Sequence, residues 1–230
     1  MNKEKFWNLI DKARAAAGGV IRNSYWEKEP QFCDHLEREL ASLDTFDLIK
    51  WQHIFDIYYK IMIDDSRIWA AAHFINGYCS RSGLSNFKNW LIANGEKIYM
   101  TAIYDPDDLA DFEINFYASL EGLSRVAEKA FVKKIGLWGL KGSGNLFKKA
   151  MKLCKSMTEE DIKSITSEVI IAPYYDSWPD AINSDDGAEV EEFFCKLKET
   201  YNRGWETICS INETGVHDSS TLDIHLRIDL

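Results

Sequence analysis

The sequence predicts a mainly α protein: a multi-helix bundle, then a smaller α+β C-terminal region that ends in a strand. Three observations carry this. Apolar residues recur every three or four positions through residue 134 of the 230-residue chain. Short clusters of Gly, Asp and Ser separate the runs. The tail from Thr221 to Leu230 alternates strictly instead, with Leu222, Ile224, Leu226, Ile228 and Leu230 on one face of a half-buried strand.

Taken in order, Phe6, Ile10, Ala13 and Ala17 share one face of a first helix that Gly18-Gly19 stops. Phe32, Leu36, Leu40 and Leu43 repeat the pattern in a second helix starting after Pro30. Asp44 begins a capping stretch for a third, with Leu48, Trp51, Phe55 and Tyr58/Tyr59 inward. Asp64-Asp65-Ser66 breaks that helix and caps a fourth, which carries Trp69, Ala70, His73 and Phe74. Gly77 and Gly83 bracket a turn, and Ser82 or Ser85 caps a fifth helix with Phe87, Trp90 and Leu91. Tyr99 to Tyr104 forms a short sixth. Phe116, Leu120, Leu123 and Phe131 predict a seventh.

The stretch 135–144 is too rich in glycine for a regular element and divides a helical domain, 1–134, from an acidic C-terminal region, 145–230. In that region Leu146, Met151, Leu153 and Cys154 predict a helix, and Thr158 to Asp161 opens another with capping-box spacing. Val169-Ile170-Ile171 reads as a helix end or a buried strand. An irregular loop holds Pro173 and Pro179, and Val190, Phe193, Phe194, Leu197 and Tyr201 mark one long amphipathic helix.

Composition narrows the function. A hydrophobic fraction of 46% excludes a disordered chain. No apolar run approaches the roughly 20 residues of a membrane span, and no secretion signal is expected in an opening that leads into an amphipathic pattern. Twenty-seven basic against 37 acidic residues give −10, which argues against general nucleic-acid or anionic-membrane binding. The cysteines (Cys33, Cys79, Cys154, Cys195, Cys209) are odd in number and lack CxxC spacing, as suits a reducing cytoplasm. Cys33 and Cys195 fall at apolar helical positions, whereas Cys79 sits at a turn where it is expected to be accessible.

The opening Phe6-Trp7-Asn8-Leu9-Ile10-Asp11-Lys12-Ala13 resembles the start of a bacterial family of unknown function, number 4240 (DUF4240). Trp69 to Ser80, followed by Gly83 to Gly95, is similar to that family's LWxAAyiinGGcSDDgFxyFRgWLIsqG signature. Pro106-Asp107-Asp108-Leu109-Ala110 is similar to its PDsLA turn. The resemblance covers about residues 1–134. This chain has Arg81-Ser82 where the family pattern has two acids, and Lys88 where it has Arg. Any metal or acid–base chemistry of those acids would be lost here. The resemblance implies no catalytic residues. Uncharacterised families of this kind often sit beside secreted-toxin genes as immunity proteins, which is an association rather than a physical warrant.

The junction of the fourth and fifth helices gathers Trp69, His73, Asn76, Cys79, Ser80, Ser82, Lys88 and Trp90. Helix ends that meet there offer free backbone donors to an anion or a peptide carboxylate, and define a ligand site or an enzyme centre. Such a site predicts a concave pocket lined by His73, Asn76, Cys79 and Lys88, with a titrating group shifted by burial. The same residues equally describe a capped, packed junction. A Cys79–His73 nucleophile pair lacks an orienting acid. Histidines 35, 53, 73, 217 and 225 have no ligand spacing, so no metal and no cofactor is expected. A phosphate loop at Gly142-Ser143-Gly144 lacks the Gly-Lys-Ser/Thr ending.

Charge segregation is the most informative feature. Eight lysines and no acid lie between Lys129 and Lys155. Asp176, Asp180, Asp185, Asp186, Glu189, Glu191 and Glu192 follow with no Lys or Arg between the first and the last. With Tyr174, Tyr175 and Trp178 beside them, these acids form a candidate surface for a basic protein partner. The alternative is that the lysine run faces them or that solvent screens both. The leading function is a non-catalytic interaction module, of the immunity or antitoxin type. A structural subunit associating through apolar helix faces is the third reading.

Overall fold

The computed structural model describes residues 1–19, 29–62, 65–112, 114, 117–137, 142–154, 157–167 and 187–204. The chain is mainly helical, and no strand occurs among the described residues. The helices are α1 (Lys3–Ala16), α2 (Glu29–Ser42), α3 (Thr45–Ile61), α4 (Ser66–Asn76), α5 (Arg81–Ala93), α6 (Glu96–Tyr104), α7 (Val126–Lys134), α8 (Ser143–Leu153), α9 (Glu159–Thr166), α10 (Gly187–Phe193) and α11 (Cys195–Tyr201). A 3-10 turn, Pro106–Asp111, follows α6.

Five of these α-helices start on a short polar side chain that accepts an otherwise orphaned amide. Asn2, Asp44 and Asp65 accept from Lys5, Asp47 and Arg67. Thr158 and Asp161 cap α9 reciprocally, in the predicted capping box. Ser80, not Ser82 or Ser85, caps α5 by accepting from the amide of Gly83 at 3.1 Å. Gly83 therefore lies inside the first turn of α5 rather than in the preceding loop.

α1 packs against α2 and α3, α2 and α3 both reach α7, and α5 lies between α3 and α6. The centre is aromatic. Phe6 lies within 5.4 Å, ring centre to ring centre, of Trp7, Trp51 and Tyr58. Tyr58 meets Tyr99 edge-on at 5.1 Å, and its hydroxyl accepts from the Trp7 indole at 3.2 Å. The Tyr99 hydroxyl donates to the carbonyl of Tyr58 at 2.9 Å. The polar ends of Trp7, Tyr58 and Tyr99 thus find partners inside the apolar cluster.

Two predicted helices differ. The seventh begins only at Val126, after a 3-10 turn at Leu123–Arg125. Upstream, the amide of Ala118 donates to Asn76 Oδ1 at 2.7 Å and that of Leu120 to the carbonyl of Asn86 at 3.0 Å. Tertiary partners replace the helical ones, so Leu120 is buried without being helical. Phe116 lies outside the described residues. The single long C-terminal helix is two short ones broken at Phe194 (φ −115°, ψ 43°). The amides of Lys196 and Leu197 donate to the carboxylate of Asp107 instead of to the preceding turn.

Phe147 of α8 packs on Phe131 of α7 at 5.2 Å, and Phe194 on Phe74 of α4 at 5.4 Å. Both sides of the glycine-rich stretch therefore share contacts. α8 starts at Ser143 with Gly142 at φ +86°, so the last residues of that stretch open a helix. The predicted terminal strand (221–230), Val169-Ile170-Ile171 and the proline loop lie outside the described residues.

Candidate functional site

The end of α4 and the start of α5 hold the predicted junction. The side chains of Asn76, Trp69 and Ser80 there serve backbone groups. The amide of Asn76 donates to the carbonyl of Ala118 at 3.2 Å while its oxygen accepts from the same residue's N–H, so one side chain pins the α6–α7 connection. The indole of Trp69 donates to the carbonyl of Cys79 at 3.3 Å. Ser80 caps α5, with its hydroxyl 3.0 Å from that of Ser82. Lys88 is buried with its ammonium 5.8 Å from the ring centre of Tyr59. Trp90 is buried and stacks on Phe87.

The two candidate nucleophile partners are held uncharged. His73 is buried with its ring edge-on to Trp69 at 4.6 Å, and burial pulls its pKa down to about 4. Cys79 is buried rather than accessible, and burial pushes its thiol up to about 12 against the opposing pull of Lys88. The thiolate is the reactive form, and at pH 9 only about one Cys79 in a thousand would carry it. Cys195, expected inside an apolar helix face, is exposed, and Cys33 is half-buried. Iodoacetamide applied to the native protein is expected to modify Cys195 well before Cys79. Peptide mass spectrometry reads the order, and equal rates would contradict the burial of Cys79.

Only part of the candidate acidic surface is described. Tyr174, Tyr175, Asp176, Trp178, Asp180, Asp185 and Asp186 lie outside the described residues, and Glu189 is described only as a position of α10. Glu192 is exposed, whereas Glu191 is ion-paired with Lys198. From the lysine run, Lys133 pairs with Glu37 of α2 at 3.2 Å and Lys134 donates to the carbonyl of Ala41. Lys148, Lys149 and Lys152 are exposed on α8. No group of His, Cys, Asp and Glu among the described residues has the arrangement of a metal site.

A second constellation was not predicted as a site. Asp107, only 5% exposed, accepts from the amides of Lys196 at 3.0 Å and Leu197 at 2.8 Å and faces Cys195 Sγ at 3.6 Å. Lys196 is ion-paired with Asp108. At the far end of α11, Arg203 Nη1 donates to the carbonyls of Phe74 and Ile75, each at 2.7 Å. Charged side chains thus complete two helix ends from a distance, an acid at the start of α11 and a base at the end of α4. The acidic turn was visible in the sequence. Nothing in the sequence marked Arg203 as its counterpart.

Residues 1–133 match the family described as Protein of unknown function (DUF4240). The chain belongs to this family. Asn76, Cys79, Lys88 and Asp107 all lie in the DUF4240 part, and α8 to α11 lie beyond it. Comparison with curated proteins and with solved structures gave no match. No helix of the described residues is long and apolar enough to cross a membrane.

Proposed function

We propose that this DUF4240 protein is a non-catalytic interaction module that binds a basic protein partner through the acidic, aromatic-flanked segment from Tyr174 to Glu192. The reading extends to an inhibitor of the immunity or antitoxin type acting in the cytoplasm. One observation carries it: seven acids and no Lys or Arg between Asp176 and Glu192. Negative charge concentrated this way repels itself, and a cationic partner relieves the repulsion while steering its own approach. Tyr174, Tyr175 and Trp178 supply large, fairly rigid contact surface beside it. The exposure of Glu192 supports the reading, and the pairing of Glu191 with Lys198 removes one acid from the surface. Burial keeps the thiol of Cys79 un-ionised, which supports a binding role over nucleophilic chemistry at the helix junction.

The test is affinity capture from the source cell with the wild type and with the reversal variant D176K/D180K/D185K/D186K. The wild type is expected to retain a basic protein whose affinity falls steeply with salt. The variant should bind it about a hundredfold more weakly at low salt. Capture of no basic protein, or equal affinity for both forms, overturns the reading.

A further inference from the structure

The segment from Phe194 to Arg203 lies in a groove between α4 and the Pro106–Asp111 turn of the DUF4240 part, with α10 beside it. One end of the groove is the carboxylate of Asp107. Every hydrogen bond it accepts among the described residues comes from residues 195–197. The other end is the last turn of α4, where the carbonyls of Phe74 and Ile75 have run out of helical amides and take the guanidinium of Arg203. Between them the ring of Phe194 lies on Phe74, and the Tyr201 hydroxyl donates to the carbonyl of Ile114 at 3.3 Å. Gly77 leaves room for this: a Cβ there would stand 3.1 Å from Cζ of Arg203, and its φ of +75° favours glycine in any case.

These groups together have a specificity. A carboxylate at one end reads the unsatisfied N–H groups of a helix start, and two carbonyls at the other read an arginine six residues beyond Leu197. The groove is electronegative at both ends, and the segment in it carries Lys196, Lys198 and Arg203 against one acid, Glu199. Asp107 and the carbonyls of Phe74, Ile75 and Ile114 lie within residues 1–133 and the donors they serve lie outside them, while Lys198 turns to Glu191.

We infer that the groove is a receptor for a short basic helix, that the chain's own Phe194–Arg203 segment is its resident ligand, and that a partner helix of the same pattern displaces it. The ion pair of Glu191 with Lys198 links this segment to the acidic residues of the proposed function, and neither inference depends on the other. The resident segment belongs to the same chain, so its effective concentration, of order millimolar for linked sites, keeps a free competitor out. Cutting the chain between them removes that advantage.

The test uses the full chain with a specific protease site inserted in the stretch 168–186, cut after folding. The probe is a fluorescein-labelled synthetic peptide of residues 194–204, which carries three basic residues and one acid, followed by anisotropy. The intact chain should take up little peptide, and the cut chain should exchange its own fragment for it. Peptides carrying Arg203→Ala or Phe194→Ala should bind at least about tenfold more weakly. These changes sit in the peptide, so the receptor's own folding is not at issue. The inference is overturned if the cut chain keeps its circular dichroism but takes up no peptide, or binds the altered peptides equally well. It is also overturned if cutting unfolds the chain, because the segment would then belong to the fold and not to a receptor site.

Discussion

Replacing Phe6 by alanine is expected to destabilise the protein by about 4 kcal/mol, within the range for emptying a large aromatic site in a packed core. The Phe6 ring is fully buried and lies between Trp7, Trp51 and Tyr58, so α1 and α3 lose their shared centre together. Three rigid rings cannot collapse into the space as flexible aliphatic chains would, so most of the cavity remains. Phe6→Leu should cost roughly half as much. Phe46→Ala, at a site 52% exposed, should change stability by no more than about 0.5 kcal/mol. Urea unfolding followed by circular dichroism compares the three. A loss below about 1.5 kcal/mol for Phe6→Ala would mean that the aromatic centre is not the mechanical core.

Acidification is expected to weaken the fold through His73. The imidazole has a pKa near 6.5 when the chain is unfolded and about 4 when folded, because burial disfavours its charged form. Between those values the unfolded chain binds a proton that the folded chain does not. Stability from this residue is therefore complete above about pH 6.5 and is lost progressively as the pH falls to about 4. The full difference is about 3 kcal/mol. Asp56 and Asp105, which burial holds above the usual carboxylate range, act in the opposite sense at the acid end of the window. The informative quantity is thus the difference between the wild type and His73→Phe. From about pH 7.5 to pH 4.5 the urea midpoint of the wild type should fall relative to that of the variant, which lacks this dependence. Parallel curves for the two proteins would show that His73 titrates alike in the folded and the unfolded chain.

Much of the first half was legible because its signals are local. Asp44 and Asp65 cap helices where short polar residues precede an apolar period, as Thr158 does farther along, and Phe32, Leu36 and Leu40 are fully buried as their spacing requires. The errors fall where a distant partner overrides a local pattern. Leu120 and Leu123 keep a helical spacing, yet Asn76 and Asn86 hold the backbone before Leu123 out of a helix. Val190 to Tyr201 has the period of one helix, yet Asp107 breaks it at Phe194 from 87 positions away. Cys79 was read as exposed because a turn surrounds it in the sequence, while Trp69 and α5 close over it in three dimensions. At the candidate site, residue types identified the Trp69–Trp90 junction but not its use, because the same serine or asparagine serves a ligand or a backbone. The pairing of Arg203 with the end of α4 spans 129 positions and leaves no periodic trace.

That long reach has a consequence for biosynthesis. A ribosome makes α4 well over a hundred residues before the arginine that finishes it. Until Arg203 leaves the exit tunnel, the carbonyls of Phe74 and Ile75 and the carboxylate of Asp107 must be served by water or by another protein. The nascent chain therefore passes through a stage in which its amino-terminal helices are already assembled while one face stays open to whatever meets it first.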